Sequence, residues 1–321
     1  MTRRVDVAAV VAGVRERSPR ALARALSLVE SGSPDAADLL AALGAPSSDR
    51  RAIVVGITGA PGVGKSTTTN ALVGELRRRG RRVAVLAVDP SSPFSGGALL
   101  GDRIRMGEHS TDPGVFIRSM AARGHLGGLA VAAPQAIRVL ERAGYDVILL
   151  ETVGVGQSEV EIASRADTNL VLLAPGMGDG IQAAKAGILE IADVFGVNKA
   201  DREGADATVH DVRALIRLAA RPAGAWRPPV RKLSAASGEG VPELLDAILE
   251  HHARAVADGS LERRRRSRAA AEVEALVLGA VRDAIDDRVT AAAGEVAAGA
   301  AEPHTAARMI LDDLLGARPG A

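Results

Sequence analysis

The sequence predicts a doubly wound α/β fold, a mainly parallel sheet with helices on both faces, extended by helical segments at either end. Short apolar runs bounded by turn residues recur at 52–58, 82–88, 115–119, 145–151, 169–174, 194–198 and 229–233, the pattern of buried strands. Helix-period stretches fall between them near 65–79, 97–108, 132–143, 180–192, 204–219 and 241–256. Strand and helix therefore alternate from about residue 50 to 253, and the first strand passes through a glycine-rich turn straight into a helix.

Residues 1 to about 48 read as helix: Val5, Val10 and Val14, then Leu22, Leu26 and Val29, recur at helical spacing, with Pro19 and Pro34 as starts or breaks. Asp6 interrupts the first apolar run and Arg15-Glu16-Arg17 closes it, so a soluble helix is expected there, not a signal peptide. Beyond Gly259 the chain returns to helix from Glu262 to about Val289, roughly 40 Å at 1.5 Å per residue. Its apolar positions 273, 277, 281, 285 and 289, with Leu276 and Leu278 nearby, have no sheet of their own to cover. A partner subunit is the natural place for that stripe. Arg263 to Arg266 read as a solvated face. The expected division is an N-terminal helical segment (1–49), a nucleotide-binding domain (50–256) and a C-terminal helical arm (257–321).

Composition bounds the class. The 321 residues suffice for one large domain with appendages, or for two domains. A formal net charge of +1 gives no overall bias toward nucleic acid or a membrane surface. Without cysteine there are no disulfides and no thiolate metal sites. No run of 18 apolar residues occurs, so no membrane span is expected and a cytoplasmic location follows.

The glycine-rich turn carries the chemistry. Gly59-Ala60-Pro61-Gly62-Val63-Gly64-Lys65-Ser66 fits G-x-x-x-x-G-K-[ST] and is followed by Thr67 and a helical pattern. Strand, glycine loop and helix N-terminus together form an anion cradle, because glycines let backbone N–H groups turn inward and the helix dipole adds positive charge. Lys65 would reach the β- and γ-phosphates, and the Ser66 hydroxyl would ligate Mg²⁺. The loop implies a nucleoside triphosphate.

A second motif names the base. The strand Asp193–Val197 ends in Asn198-Lys199-Ala200-Asp201, which resembles the guanine-recognition motif of GTPases. The Asp201 carboxylate can accept from guanine N1–H and the N2 amine; adenine offers neither donor, and the unpaired carboxylate would cost roughly 1–3 kcal/mol or more. Lys199 would lie along the base, and Asn198 would tie this loop to the phosphate cradle. After strand 229–233 comes Ser234-Ala235-Ala236, similar to the loop whose backbone N–H meets guanine O6. These three pieces, in order, favour GTP over ATP. Of 40 basic residues only Lys65, Lys185, Lys199 and Lys232 are lysines, and two of these fall inside the nucleotide motifs.

Acids follow at strand ends. Strand 145–151 closes on Glu151, followed by Thr152-Val153-Gly154, where common GTPases hold Asp-x-x-Gly. A carboxylate there suits a Mg²⁺ shell, directly or through water, and the Gly154 N–H could meet the γ-phosphate. Val155 occupies the place of the water-positioning Gln of Ras-like proteins, so slow intrinsic hydrolysis is expected unless another residue takes that role. Asp89, ending strand 82–88, and Asp102 are two further acids near the phosphates.

Val88-Asp89-Pro90-Ser91-Ser92-Pro93, Gly101–Met106, Glu151–Glu159, Asn198-Lys199-Ala200-Asp201 and Trp226-Arg227-Pro228-Pro229-Val230 resemble the MeaB/ArgK family. These are G-protein chaperones of adenosylcobalamin-dependent acyl-CoA mutases, within the metallochaperone branch of P-loop GTPases. The resemblance covers residues 50–255 closely and the flanks in layout. It implies Mg²⁺ association for Ser66, Asp102 and Glu151, with Asp89 close behind. It also implies a switch over 174–185, with Asp179 and Lys185 as an ion pair and Gln182 approaching the γ-phosphate. A homodimer through the C-terminal arm is implied as well. Rival readings are a metallochaperone-type GTPase of another enzyme-maturation system, a kinase or transport ATPase, and a module that binds GTP without hydrolysing it. The first would want a Cys/His cluster, whereas the six His are scattered apart from one adjacent pair.

Overall fold

The computed structural model describes residues 5–44, 51–90, 109, 111–122, 128–152, 164–176, 191–218, 222 and 224–316, with backbone alone at 88–90, 121–122 and 128–131. The chain forms two compact units, Met1–Arg268 and Ala269–Ala321.

The first unit is built on seven strands: β1 (Ile53–Gly59), β2 (Val83–Pro90), β3 (Val115–Ala122), β4 (Val147–Thr152), β5 (Thr168–Leu173), β6 (Val194–Val197) and β7 (Val230–Lys232). All neighbouring pairs are parallel, in the order β3-β2-β4-β1-β5-β6-β7. A parallel sheet must be covered on both faces, and the period of two sorts its side chains accordingly. Val54, Ala84, Leu86, Ile148 and Leu150 face one side, against α1 (Val7–Arg15), α2 (Pro19–Glu30), α3 (Pro34–Leu43) and α5 (Gly128–Arg142). Val55, Ile57, Val83, Val85, Val147 and Leu149 face the other, against α4 (Lys65–Arg78) and α7 (Val241–Ala257). At the far end α6 (Ala205–Leu218) covers Val171, Leu173, Phe195 and Val197. The three N-terminal helices thus share a core with the sheet. Because β1 is central, its C-terminal end lies mid-edge, where the strand order reverses and ligands bind in such sheets.

Local rules explain the N-terminal helices. Pro19 and Pro34 each occupy a first helical turn, where a missing N–H costs nothing, behind Ser18 and Ser33 caps. Asp6, which interrupts the apolar run, is the cap of α1, accepting from Ala9 N at 3.0 Å. The strand expected at 115–119 runs on to Ala122, and the helix expected from 132 begins at Gly128. The helix expected at 97–108, and the one expected at 180–192 apart from its last residues, lie outside the described residues.

The C-terminal helix, α8 (Ser260–Ala297), outruns the apolar stripe at both ends; residues 291–293 are alanine, the best helix former. The solvated-face reading of its arginines holds only for Arg263 and Arg266, which are exposed. Arg264 and Arg265 are instead bound to Asp193 and Asp167, acids that immediately precede β6 and β5. Two nearly buried carboxylates recruited them, and charge counting along the chain could not see those acids.

In the second unit the remainder of α8 is followed by α9 (Pro303–Leu314), and Arg288 pairs with Asp313 at 2.5 Å. Val273, Val277, Leu278, Val289, Met309 and Leu311 are exposed there, and α9 buries none of its residues.

Candidate nucleotide-binding site

The loop after β1 is shaped by two glycines that nothing else could replace. Gly59 has φ 149 and sits on the Leu172 carbonyl of β5; Gly64 has φ 95 and a Cβ there would overlap the Asn198 amide. Both need positive φ and the absence of a side chain. Val63 is fully buried and anchors the loop, while Pro61, Gly62 and Thr67 are exposed. Gly64 caps α4, so Lys65 and Ser66 begin that helix at its positive dipole end. Lys65 is buried, and its Nζ donates to Gly59 O at 2.6 Å and Ala60 O at 3.2 Å. The ammonium is therefore folded over the carbonyls of the loop itself.

The base motif meets this loop directly. Asn198, nearly buried, donates from Nδ2 to Val63 O at 2.7 Å and accepts from Ala235 N on Oδ1 at 3.0 Å. One amide thus joins the phosphate loop, the end of β6 and the Ser234–Ala236 turn. Lys199 takes the left-handed conformation, φ 58, and its Nζ donates to Gly62 O at 2.6 Å. Ala200 N donates to Leu233 O at 3.0 Å, and Asp201 follows with its carboxylate exposed. Ser234 is held by its N–H on Glu239 O at 2.9 Å, which closes the turn that presents Ala235 and leaves Ala236 exposed.

A hydroxyl–carboxylate pair lies beside the loop at Ser66. Its Oγ donates to Glu151 Oε1 at 2.6 Å, and Glu151 is almost wholly buried at the end of β4. Register places Glu151 opposite Ile57, and Thr152 Oγ1 donates to Thr58 Oγ1 at 3.2 Å, pinning the strand end beside the loop root. A hydroxyl and a carboxylate are hard oxygen donors of the kind Mg²⁺ takes, so the residues present fit that ion. Asp89 lies one residue past Val88, which pairs with Thr152, so its backbone shares this edge. Asp102, Gly154, Asp179, Gln182 and Lys185 lie outside the described residues. Among the described residues no group of three or more His, Asp or Glu is arranged to hold a metal ion. Lys232 stands apart, paired with Asp206 at 2.9 Å.

Sequence reading passed over the residues at the opposite edge of the sheet. Asp193 accepts a two-armed bond from Arg264 at 3.0 Å on each oxygen and lies 3.2 Å from His251 Nε2. Asp167 holds Arg265 and Arg268, each at 2.5 Å. The available signal was an Asp immediately before each of two buried strands. Burial drives both carboxylates up; for Asp193 the His251 and Arg264 contacts, and for Asp167 the Arg265 and Arg268 contacts, more than reverse this and hold both below the ordinary range.

Fold and site together define a P-loop GTPase: a parallel sheet with the phosphate loop on its central strand and a base motif bonded to that loop. The chain belongs to the MeaB family, whose model, methylmalonyl Co-A mutase-associated GTPase MeaB, matches residues 22–293. It is 46% identical over 305 residues to a putative GTPase of Pyrococcus abyssi, covering 92% of this chain and 93% of that one. It is 42% identical over 216 residues to the mouse mitochondrial methylmalonic aciduria type A homolog, covering 66% of this chain and 52% of that protein. Among solved structures, a LAO/AO transport system kinase superposes with TM-score 0.69 at 27% identity, over 98% of this chain and 99% of that one.

Proposed function

We propose that this chain is a Mg²⁺-dependent GTP phosphohydrolase that chaperones an adenosylcobalamin-dependent acyl-CoA mutase of the methylmalonyl type. GTP binding and hydrolysis would gate the loading and protection of the mutase's cofactor. The observation that carries the GTP half is the Asn198 amide, bonded to Val63 O and Ala235 N, which joins the phosphate loop to the base motif. The mutase half rests on the family match.

In this reading Lys65 leaves the Gly59 and Ala60 carbonyls for the triphosphate, and Asp201 accepts from the N1–H and N2 amine of guanine. The backbone N–H groups of the loop and the α4 terminus hold the phosphates. Ser66 and Glu151, with Asp89 and Asp102, would hold Mg²⁺, which when bound neutralises charge between the β- and γ-phosphates. Gly154 would meet the γ-phosphate, and Asp179, Gln182 and Lys185 would form the switch that answers to the mutase. The exposed apolar residues of α8 and α9 would join a second copy in a homodimer. Among the described residues no helix is long and apolar enough to cross a membrane, and the cytoplasm is the proposed site of action.

Steady-state GTP hydrolysis with and without a purified methylmalonyl-type mutase tests this. Hydrolysis should be slow alone, require Mg²⁺, and rise about tenfold with the mutase, a barrier change of only about 1.4 kcal/mol. Lys185→Ala should lose the stimulation and keep the basal rate. Equal turnover of ATP would overturn the base assignment; no stimulation by any such mutase would overturn the chaperone role.

A further inference from the structure

The segment 193–198, which contains β6, and the first ten residues or so of α7 are two struts of nearly equal length between the same two places. With its flanking residues, β6 spans Asp193 to Asn198, about 16 Å at 3.3 Å per residue. α7 covers Val241 to His251, about 15 Å at 1.5 Å per residue, and starts just beyond the Ser234–Ala236 turn. At the nucleotide end they are joined by Ala235 N donating to Asn198 Oδ1 at 3.0 Å. At the far end they are joined by His251 Nε2 and Asp193 Oδ1 at 3.2 Å. The result is a closed frame with both base-reading segments at one end and one carboxylate at the other.

That carboxylate is fixed from every side. Arg264 grips both its oxygens with a two-armed fork, at 3.0 Å each, and Asn169 N donates to Oδ2 at 2.9 Å. His251 is held in turn by Thr168 Oγ1 at 2.8 Å and by the Trp226 ring, 5.2 Å away between centroids, whose Nε1 donates to Asp193 O at 2.8 Å. The strut itself has no slack: a Cβ at Gly196 would meet Leu172 at 2.8 Å and Leu233 at 3.2 Å. Close-packed elements pass displacement along instead of absorbing it. A buried ion pair adds little net stability over an apolar pair, but a planar fork on a carboxylate fixes geometry.

We propose that Asp193, held by His251 and Arg264, is a positioning residue that sets the gap between the two base-reading loops, and with it selectivity for the purine 2-amino group. This rests on the reading of Asp201 as the guanine acceptor. Displacing Asp193 moves the Asn198–Asp201 segment against the Ser234–Ala236 turn; the phosphate loop touches that segment through the Asn198–Val63 and Lys199–Gly62 bonds but is itself anchored in β1 and α4.

Affinities for GDP, IDP (which lacks the 2-amino group) and inorganic pyrophosphate test this by calorimetry on the full chain. The wild type should prefer GDP to IDP about tenfold or more. In Asp193→Asn the preference should fall at least about fivefold, with pyrophosphate affinity within about twofold of wild type. If Asp193→Asn does not fold, Arg264→Gln carries the same expectation, since it removes the fork that fixes both Asp193 oxygens. A merely structural role would weaken GDP and IDP in equal proportion, and an unchanged preference in the folded variant overturns the proposal. A wild type that fails to prefer GDP would sink the guanine reading itself, a separate and distinguishable result.

Discussion

At residue scale, the side chain of Asn198 does more to define the site than any glycine of the phosphate loop. Its donor and acceptor are both used, one on Val63 and one on Ala235, so it bridges segments 135 and 37 residues away in the chain. Asp201 differs: its carboxylate is exposed and available to a base. Replacing Asp201 by Asn exchanges an acceptor for a donor facing the guanine N2 amine. GTP affinity should fall by about 10- to 100-fold, the worth of one or two hydrogen bonds to a charged group. Xanthosine triphosphate, with a carbonyl at that position, should bind the variant better than GTP does. Competition binding of the two nucleotides measures this, and unimpaired GTP binding would exclude Asp201 from the base pocket. The loop was legible in the sequence at this scale because its chemistry is contiguous: Gly59 to Ser66 must be neighbours to wrap a phosphate. The pairing of Ser66 with Glu151, 85 residues on, was legible only as two candidates for one ion.

At the scale of elements, the starts of β5 and β6 are fastened to α8 by ion pairs whose acids are nearly buried. Both acids are held below the ordinary carboxylate value of about 3.9, so each contributes stability that is fully present above that value. It is lost as pH falls below about 4 toward the folded-state values, where the native acids are finally protonated. Urea midpoints should therefore drop steeply in that acid range, followed by the emission of Trp226, the sole tryptophan, whose ring lies tilted against that of His251. Asp167→Asn should flatten the pH dependence and cost on the order of 3–5 kcal/mol at neutral pH, since it strands Arg265 and Arg268. A variant as steep and as stable as wild type would show that the latch contributes nothing. Periodicity placed the starts of these strands and of α8 within about two residues. It gave no hint of the latch, because the arginine run reads the same whether it meets water or a buried acid.

For the whole molecule, the prediction concerns association. The second unit exposes Val273, Val277, Leu278 and Val289 with Met309 and Leu311, several large apolar side chains on a short stretch of chain. Exposed apolar side chains of this kind fit the proposed contact with a second copy. Light scattering should give a dimer for the wild type and a monomer for a Val277→Glu, Leu278→Glu double variant, with GDP affinity unchanged because the site lies in the other unit. A monomeric wild type would remove the dimer from this reading.

The sequence alone determined the alternation of seven strands with helices, the phosphate loop, the Asn-Lys-x-Asp motif and the family they resemble. Each is written in residues close together, where backbone periodicity or one ligand forces the spacing. Tertiary structure alone decided the strand order that sets β1 at the centre, and the face the N-terminal helices cover. It also decided that Arg264 would find Asp193 across 71 residues and Arg268 find Asp167 across 101. Those choices follow from which buried charge needs a partner and which apolar face needs cover, and neither is settled until the chain has folded around them.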